Sequence, residues 1–500
     1  MAFDSILNKI FNLFILRRME GINQFIEHPI ETQQRVLFSL LSQAKNTEYG
    51  KLHHFEEIKS YEDFNKQIPI VSYEDFEPFI EKARQGNPDV FWPGKIKHFA
   101  KSSGTTNAKS KFIPISDESL QNCHYKAGKD LLAIYINNHK DSNLFKFKNL
   151  RLGGSAELYE SFGTKFGDLS AILIENLPFW VERTTTPSRE VSLMSEWETK
   201  LKAIVSEVRN KDVGSLTGVP SWMMVLLQRV LKDTGKKSIS EVWPNLEVFF
   251  HGGISFVPYR EQYKQLIGKD IRYYEIYNAS EGFFGIQDRF GSDEMLLMLD
   301  YGIFYEFIPM DTFGTENAKA VSLENVELGK NYAVVITTNG GLWRYLIGDT
   351  IRFTDLKPFR FKISGRTKHY INAFGEELMI DNVEAALSKA CQETNAKITD
   401  YTGAPVYMKD GESGSHEWMK PNDFGRFSEI FDETLKSLNS DYEAKRYNNM
   451  TLKPPIIHKA RTNLFYDWMA SRGKLGGQNK VPRLSNDRQY IEPLLEENKK

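Results

Sequence analysis

Apolar residues recur at helical intervals over residues 20–45, where Phe25, Ile26, Val36, Leu37, Leu40 and Leu41 fall on one face. The same period predicts helices over 117–138, 195–209 and 219–232. The last of these opens on Val219-Pro220, and proline is tolerated in a first helical turn. From about residue 246 the texture changes. Short apolar or alternating runs predict strands over 246–250, 271–277, 303–308, 332–338, 351–353 and 359–363. Gly252-Gly253 and Asn339-Gly340-Gly341 punctuate them as turns, and 341–349 reads as a connection between two strands. Past residue 378 the pattern becomes a small β/α set. It has helices over 381–389, 423–438 and 463–471, strands within 398–408, extended chain over 454–457, and a glycine- and lysine-rich loop over 473–482. Helices followed by many glycine-bounded strands predict α/β layers with a barrel-like or mixed-sheet portion.

At 500 residues the chain exceeds one ordinary core. The textural change places a boundary near 378, giving a large domain over 1–378 and a small one over 379–500. Acidic and basic residues nearly cancel, 66 against 64, so the charge balance offers no footprint for a nucleic-acid partner. Two cysteines, Cys123 and Cys391, cannot form a disulfide framework, and a reducing, cytoplasmic setting is expected. Residues 1–18 have amphipathic spacing, expected to pack on the protein itself, with a membrane-surface anchor as the alternative. No run reaches the roughly 20 apolar residues of a membrane span.

Four short motifs carry the chemistry. Lys101 to Lys111 contains Ser102-Ser103-Gly104-Thr105-Thr106, with hydroxyls, a glycine and the cations Lys109 and Lys111, the donors a phosphate needs. It is not a Walker A loop. Tyr277 to Glu281 ends a predicted strand beside Gly282 and Gly285, where Glu281 could hold Mg²⁺ between phosphates. In Trp343 to Asp349, Asp349 could bind a vicinal diol and Arg344 could pair with a phosphate. Lys480 sits in Asn479 to Arg483, beside Gly476-Gly477, where a mobile cation could neutralise developing charge. Taken singly, each motif reads equally as a surface turn, a hairpin ion pair or a solvated lysine. Zinc-protease, Cys-x-x-Cys, dinucleotide-fold and nucleophile-elbow motifs are missing.

In this order and spacing the motifs resemble those of the GH3 family of acyl-acid amido synthetases, within the adenylate-forming superfamily of acyl-CoA synthetases and luciferase. The resemblance spans nearly the whole chain and includes Leu216 to Trp222, Tyr305 to Pro309 and Asn372 to Glu377. It implies an adenylate-forming α/β fold, with a large N-terminal domain of mixed sheets and a β-barrel portion and a small, rotating α+β C-terminal domain. It implies a ligase that uses ATP and Mg²⁺ to adenylate a small carboxylic acid, then passes the acyl group to an amino acid. Acyl-CoA formation and a non-catalytic binder are the alternatives. By resemblance, Ser102, Ser103, Thr105, Thr106, Gly252, Gly253, Tyr277, Ser280 and Asp349 bind nucleotide, although Asn107-Ala108 stands where glycine is common. Lys480, Arg366 and Glu281 serve catalysis, Glu281 also as metal ligand, and Tyr125, Leu131, Trp222 and Met223 face the acyl group. A monomer or weak oligomer is expected.

Overall fold

A computed structural model describes residues 12–499 except 103–110, 154–157, 195, 255, 257–258, 368–369, 377, 395, 397–400, 409–412, 421–424, 450, 462–463 and 473–482. The first predicted helix is two, α1 (Arg18–Glu27) and α2 (Pro29–Ala44), because Pro29 ends one and starts the next. Residues 12–16 are helical. There Ile15 is buried while Leu13 and Phe14 are exposed, and residues 1–11 of the amphipathic segment lie outside the described residues. Arg18 fastens α1 to Asp130 at 2.7 Å, on α3 (Tyr125–Asn138). The helices α4 (Leu169–Glu175), α5 (Trp197–Val208), α6 (Pro220–Thr234) and α7 (Arg260–Ile267) follow. Val219-Pro220 does open α6, with Pro220 in its first turn.

The organising element is a twelve-stranded sheet. One half is parallel: β1 (Lys148–Arg151), β2 (Val213–Gly218), β3 (Val248–Gly252) and β4 (Arg272–Ala279) lie side by side in that order. Their connections run through α4 to α7, as parallel strands require. The other half is antiparallel: β5 (Gly282–Ile286), β6 (Met295–Leu297), β7 (Ile303–Pro309), β8 (Asn331–Thr338), β9 (Tyr345–Leu356) and β10 (Phe359–Arg366). The sheet therefore changes from parallel to antiparallel at the β4–β5 hairpin. No closed barrel is found among the described strands. The segment 341–349, expected as a connection, instead enters β9 at Tyr345, and Gly365-Arg366 lies inside β10.

Gly252 shows how closely the strands approach. A Cβ there would stand 2.4 Å from the Ile276 carbonyl oxygen, so only glycine fits. Past residue 380 the chain forms α8 (Ile380–Thr394), α9 (Gly425–Leu438), α10 (Ser440–Arg446) and a three-stranded sheet. Phe374, Val383, Trp418 and Phe431 share one core with Leu216, Met223 and Leu226, so this part packs directly on β2 and α6. Ser221 Oγ donates to the Phe374 carbonyl at 3.0 Å, and Tyr259 Oη donates to that of Ala373 at 2.6 Å. No described helix is long and apolar enough to cross a membrane.

Arg344 departs from its sequence reading. Its guanidinium is buried and forks onto Glu306, Nε to Oε2 at 2.8 Å and Nη2 to Oε1 at 2.9 Å. Nη1 donates to the Asn65 and Ile68 carbonyls, and Tyr61 Oη completes Glu306 at 2.9 Å. Every group of the ion pair is satisfied, which is the condition for burying one. Arg344 thus ties the N-terminal helices to the sheet, and its donors are committed away from any phosphate. Arg344→Ala leaves Glu306 buried and uncompensated, and should cost about 3–5 kcal/mol in denaturant unfolding while the folded fraction keeps its ATP affinity. A small stability loss with a large affinity loss would contradict this assignment.

Candidate active site

A cleft of about 860 Å³ opens at the carboxyl ends of β3 and β4, where open α/β sheets bind their ligands. Its walls come from distant segments: Gly253 after β3, Glu275 to Glu281 along β4 and its turn, Asp349 on β9 and Lys362 to Arg366 on β10. Leu169, Ser170 and Leu173 of α4 form one rim, and Asn372, Ala373, Tyr407 and Leu484 to Asp487 form another.

Asp349 is at the centre. It is 8% exposed, and each of its oxygens has a protein donor. Arg366 Nε lies 2.8 Å from Oδ1, and Tyr277 Oη donates to Oδ2. Asp349 and Arg366 are cross-strand register partners, so the pair is set by the ladder. Burial and then the neighbouring Asp349 charge push the Tyr277 phenol well above its ordinary range, so it remains a donor. Both carboxylate oxygens retain acceptor capacity, the valence a pair of adjacent hydroxyls needs.

The local backbone explains how Asp349 reaches the cleft. The ladder between β8 and β9 passes from Ala333↔Thr350 to Val335↔Leu346, so β9 bulges at residues 347–349 opposite one residue of β8. Gly348 takes φ +93 within the bulge, a conformation that favours glycine. Bulges re-aim side chains in this way. The same interruption breaks the period-two pattern, which is why the sequence reads this stretch as a connection.

Of the sequence candidates, Gly253, Tyr277, Ser280, Glu281, Asp349 and Arg366 line this single cleft. Gly252 is the last residue of β3 and serves strand packing. The strand His98–Ser102 pairs with Lys111–Ile115, with Ser102 opposite Lys111, and Lys111 lines the cleft. The tip carrying Ser103, Thr105 and Thr106 lies outside the described residues, as do the Ser102 side chain and Lys480. The acyl candidates do not gather as one surface. Leu131 and Met223 are buried in two separate cores. The Trp222 ring carries the Lys445 ammonium 3.9 Å from its centroid, and Tyr125 Oη donates to the Leu173 carbonyl at 2.9 Å.

Sequence reasoning missed several cleft residues. Asn486 Oδ1 accepts from the Asn372 backbone N–H at 2.6 Å, and Tyr407 Oη donates to the Asn486 carbonyl at 2.6 Å, stitching the C-terminal loop to the rim. Glu275 was also missed, although it alternates with Tyr277 along β4 and period two alone puts both on one face. Burial first, then the Asp293 charge, push its carboxyl up to about 7 against the partial opposition of Arg260.

A carboxyl raised on folding stabilises the protein below its unfolded pKa of about 4.5, and that contribution is lost as pH rises through about 7. Glu275→Gln, neutral at every pH, should therefore melt higher than the native protein above about pH 7 and lose that advantage toward about pH 4.5. An equal difference across the range would contradict the burial argument.

Comparison with known proteins covers most of the chain. Models of the GH3 family N-terminal, central and C-terminal domains match residues 18–271, 296–366 and 381–489. The chain is 23% identical to the probable indole-3-acetic acid-amido synthetase GH3.1 of Arabidopsis thaliana, over 96% of this chain and 93% of that protein. It is 27% identical to the jasmonoyl-L-amino acid synthetase JAR6 of Nicotiana attenuata, over 64% of this chain and 66% of that one. A solved structure of GH3.15 acyl acid amido synthetase superposes with a TM-score of 0.61 at 18% identity, covering 97% of this chain and 96% of that one, so the two share a fold. With all three family models matched in order along its length, this chain belongs to the GH3 family.

Proposed function

We propose that the protein is an ATP-dependent acyl-acid amido synthetase. A carboxylate oxygen of the acid attacks the α-phosphorus of ATP, and pyrophosphate leaves. The amine nitrogen of an amino acid then attacks the acyl-adenylate carbonyl carbon, the bond to AMP breaks, and the nitrogen gives up its proton. The reading is supported by the family and by relatives named as amido synthetases. The observation that carries it is the Tyr277–Asp349–Arg366 constellation on one cleft wall with Glu281 and Lys111.

Each residue has a physical task in this reading. Asp349 accepts the ribose hydroxyls, and Tyr277 and Arg366 hold its two oxygens in place. Arg366 also brings positive charge to the α-phosphate, while Lys111, the 102–106 loop and Lys480 offset charge as pyrophosphate forms. No described group of three or more His, Cys, Asp or Glu could cage a metal. Magnesium needs no such cage, because it binds through one or two carboxylates and substrate phosphates, and Glu281 at the β4–β5 turn fits that role. When bound, it would supply charge neutralisation across the phosphate oxygens. The rest of the catalytic effect is positioning. The region after about 378 is assigned the rotation between half-reactions.

Incubation with ATP, a library of acids and amino acids, followed by mass spectrometry, should yield AMP, pyrophosphate and an acid–amino acid amide. With amino acids and coenzyme A supplied separately, thioester from coenzyme A and no amide from any amino acid would overturn the amide step. Asp349→Ala should weaken ATP binding by roughly 10- to 100-fold, the effect of losing charged hydrogen bonds. An unaltered affinity would remove the ribose assignment.

A further inference from the structure

β1 ends on a residue with an unusual environment. Leu150 faces the core shared with α5 and α6, so period two turns Arg151 to the opposite face of the sheet. That face is polar here. Asn149 Nδ2 donates to Ser215 Oγ at 2.9 Å and to Thr217 Oγ1 at 3.0 Å, and Thr217 is the register partner of Arg151. These side chains satisfy one another and leave Arg151 out.

The Arg151 guanidinium makes no hydrogen bond or ion pair among the described residues, and its Nε is fully enclosed without an acceptor. The groups whose charge bears on it are Tyr125 and Glu182. Tyr125 turns its hydroxyl to the Leu173 carbonyl. Glu182 has Arg189 as its ion-pair partner, at 3.8 Å. Burial alone pulls the guanidinium down to about 10. Arg151 is half-buried, and an enclosed Nε without an acceptor is costly, a cost that an anionic ligand on the guanidinium would offset. Arginine's planar fork matches a carboxylate in particular.

Its position gives that ligand an address. Arg151 stands at the carboxyl end of a parallel strand, the end of the sheet that bears the cleft. Two residues on, Gly153 packs on α4: a Cβ there would meet Ser170 Cβ at 3.1 Å. Ser170 and Leu173, the α4 residues touched by Gly153 and Tyr125, both line the cleft. Arg151 does not itself line the cleft; it stands at the end of β1, beside the α4 residues that form one rim.

We infer that Arg151 receives an anionic group at the far end of the acyl substrate, so that the acids used are dicarboxylic or carry an equivalent distal anion. The inference rests on the proposed adenylation of a carboxylic acid and adds its substrate class. One carboxylate would go to the α-phosphate and the other would form the bidentate pair that Arg151 lacks.

The test is acid-dependent pyrophosphate release by the full chain. Dicarboxylates from succinate to sebacate are compared with monocarboxylates of equal chain length, and terephthalate with benzoate. At least one dicarboxylate should exceed its monocarboxylate in kcat/KM, and Arg151→Met should lower that ratio by roughly 10- to 100-fold, as expected for a lost charge-assisted hydrogen bond. Arg151→Gln serves where the methionine variant does not fold. A native preference for every monocarboxylate, or a ratio unmoved in the variant, would overturn the inference. Should no acid release pyrophosphate, the proposed function fails. Calorimetry with the same dicarboxylates then decides Arg151 separately: binding lost in the variant supports its role, and no binding to the native chain overturns it.

Discussion

A nearly buried carboxylate is stable only if its charge is answered, and the candidate site depends on how Asp349 is answered. Arg366 takes one oxygen and Tyr277 holds the other. Those two residues come from strands on either side of the sheet's change of direction, so the interaction fixes β4, β9 and β10 relative to one another as well as the charge. Satisfying this carboxylate also builds the cleft wall. Gly348, the bulge at 347–349 and the close approach at Gly252 all serve the same local geometry.

Two arginines close together in sequence show that residue type alone does not give a role. Arg344 and Arg366 are both cations beside carboxylates near strand ends. Arg344 has all its donors consumed by Glu306, Asn65 and Ile68 inside the core, and acts as a fastening. Arg366 is partly exposed and lines the cleft beside Asp349. The distinguishing quantities are burial and place, a core for one and a cleft wall for the other, which only three dimensions reveal. Arg151 is a third case, with no protein acceptor at all among the described residues.

Much of the architecture could be read in the chain because its signals are local. Val219-Pro220 opens α6 as expected, and the strands at 271–277, 303–308 and 332–338 appear within one or two residues of their predicted bounds. Reading failed where a local rule was broken for a nonlocal purpose. The bulge around Gly348 interrupts the alternation, so only 351–353 of the twelve-residue strand Tyr345–Leu356 reads as strand. Pro29 split one apolar period into two helices. The site was legible as a set of motifs whose order gave the family, and Tyr277, Glu281, Asp349 and Arg366 do meet at one cleft. Glu275 and Asn486 were not legible, because no motif marks a residue whose importance is only its neighbours. Resemblance alone places Met223 in the acyl pocket, and it lies in the core on the buried face of α6, whose apolar pattern does not separate a core from a binding surface.

The central claim is that three strands form one grip for a mononucleotide. The direct measurement is a crystal structure of the full chain with a non-hydrolysable acyl-sulfamoyl adenosine. The ribose hydroxyls should lie within hydrogen-bonding distance of the Asp349 carboxylate, with Tyr277 and Arg366 still on its two oxygens. An adenosine bound away from Asp349, or a carboxylate still occupied only by its protein partners, would contradict the account.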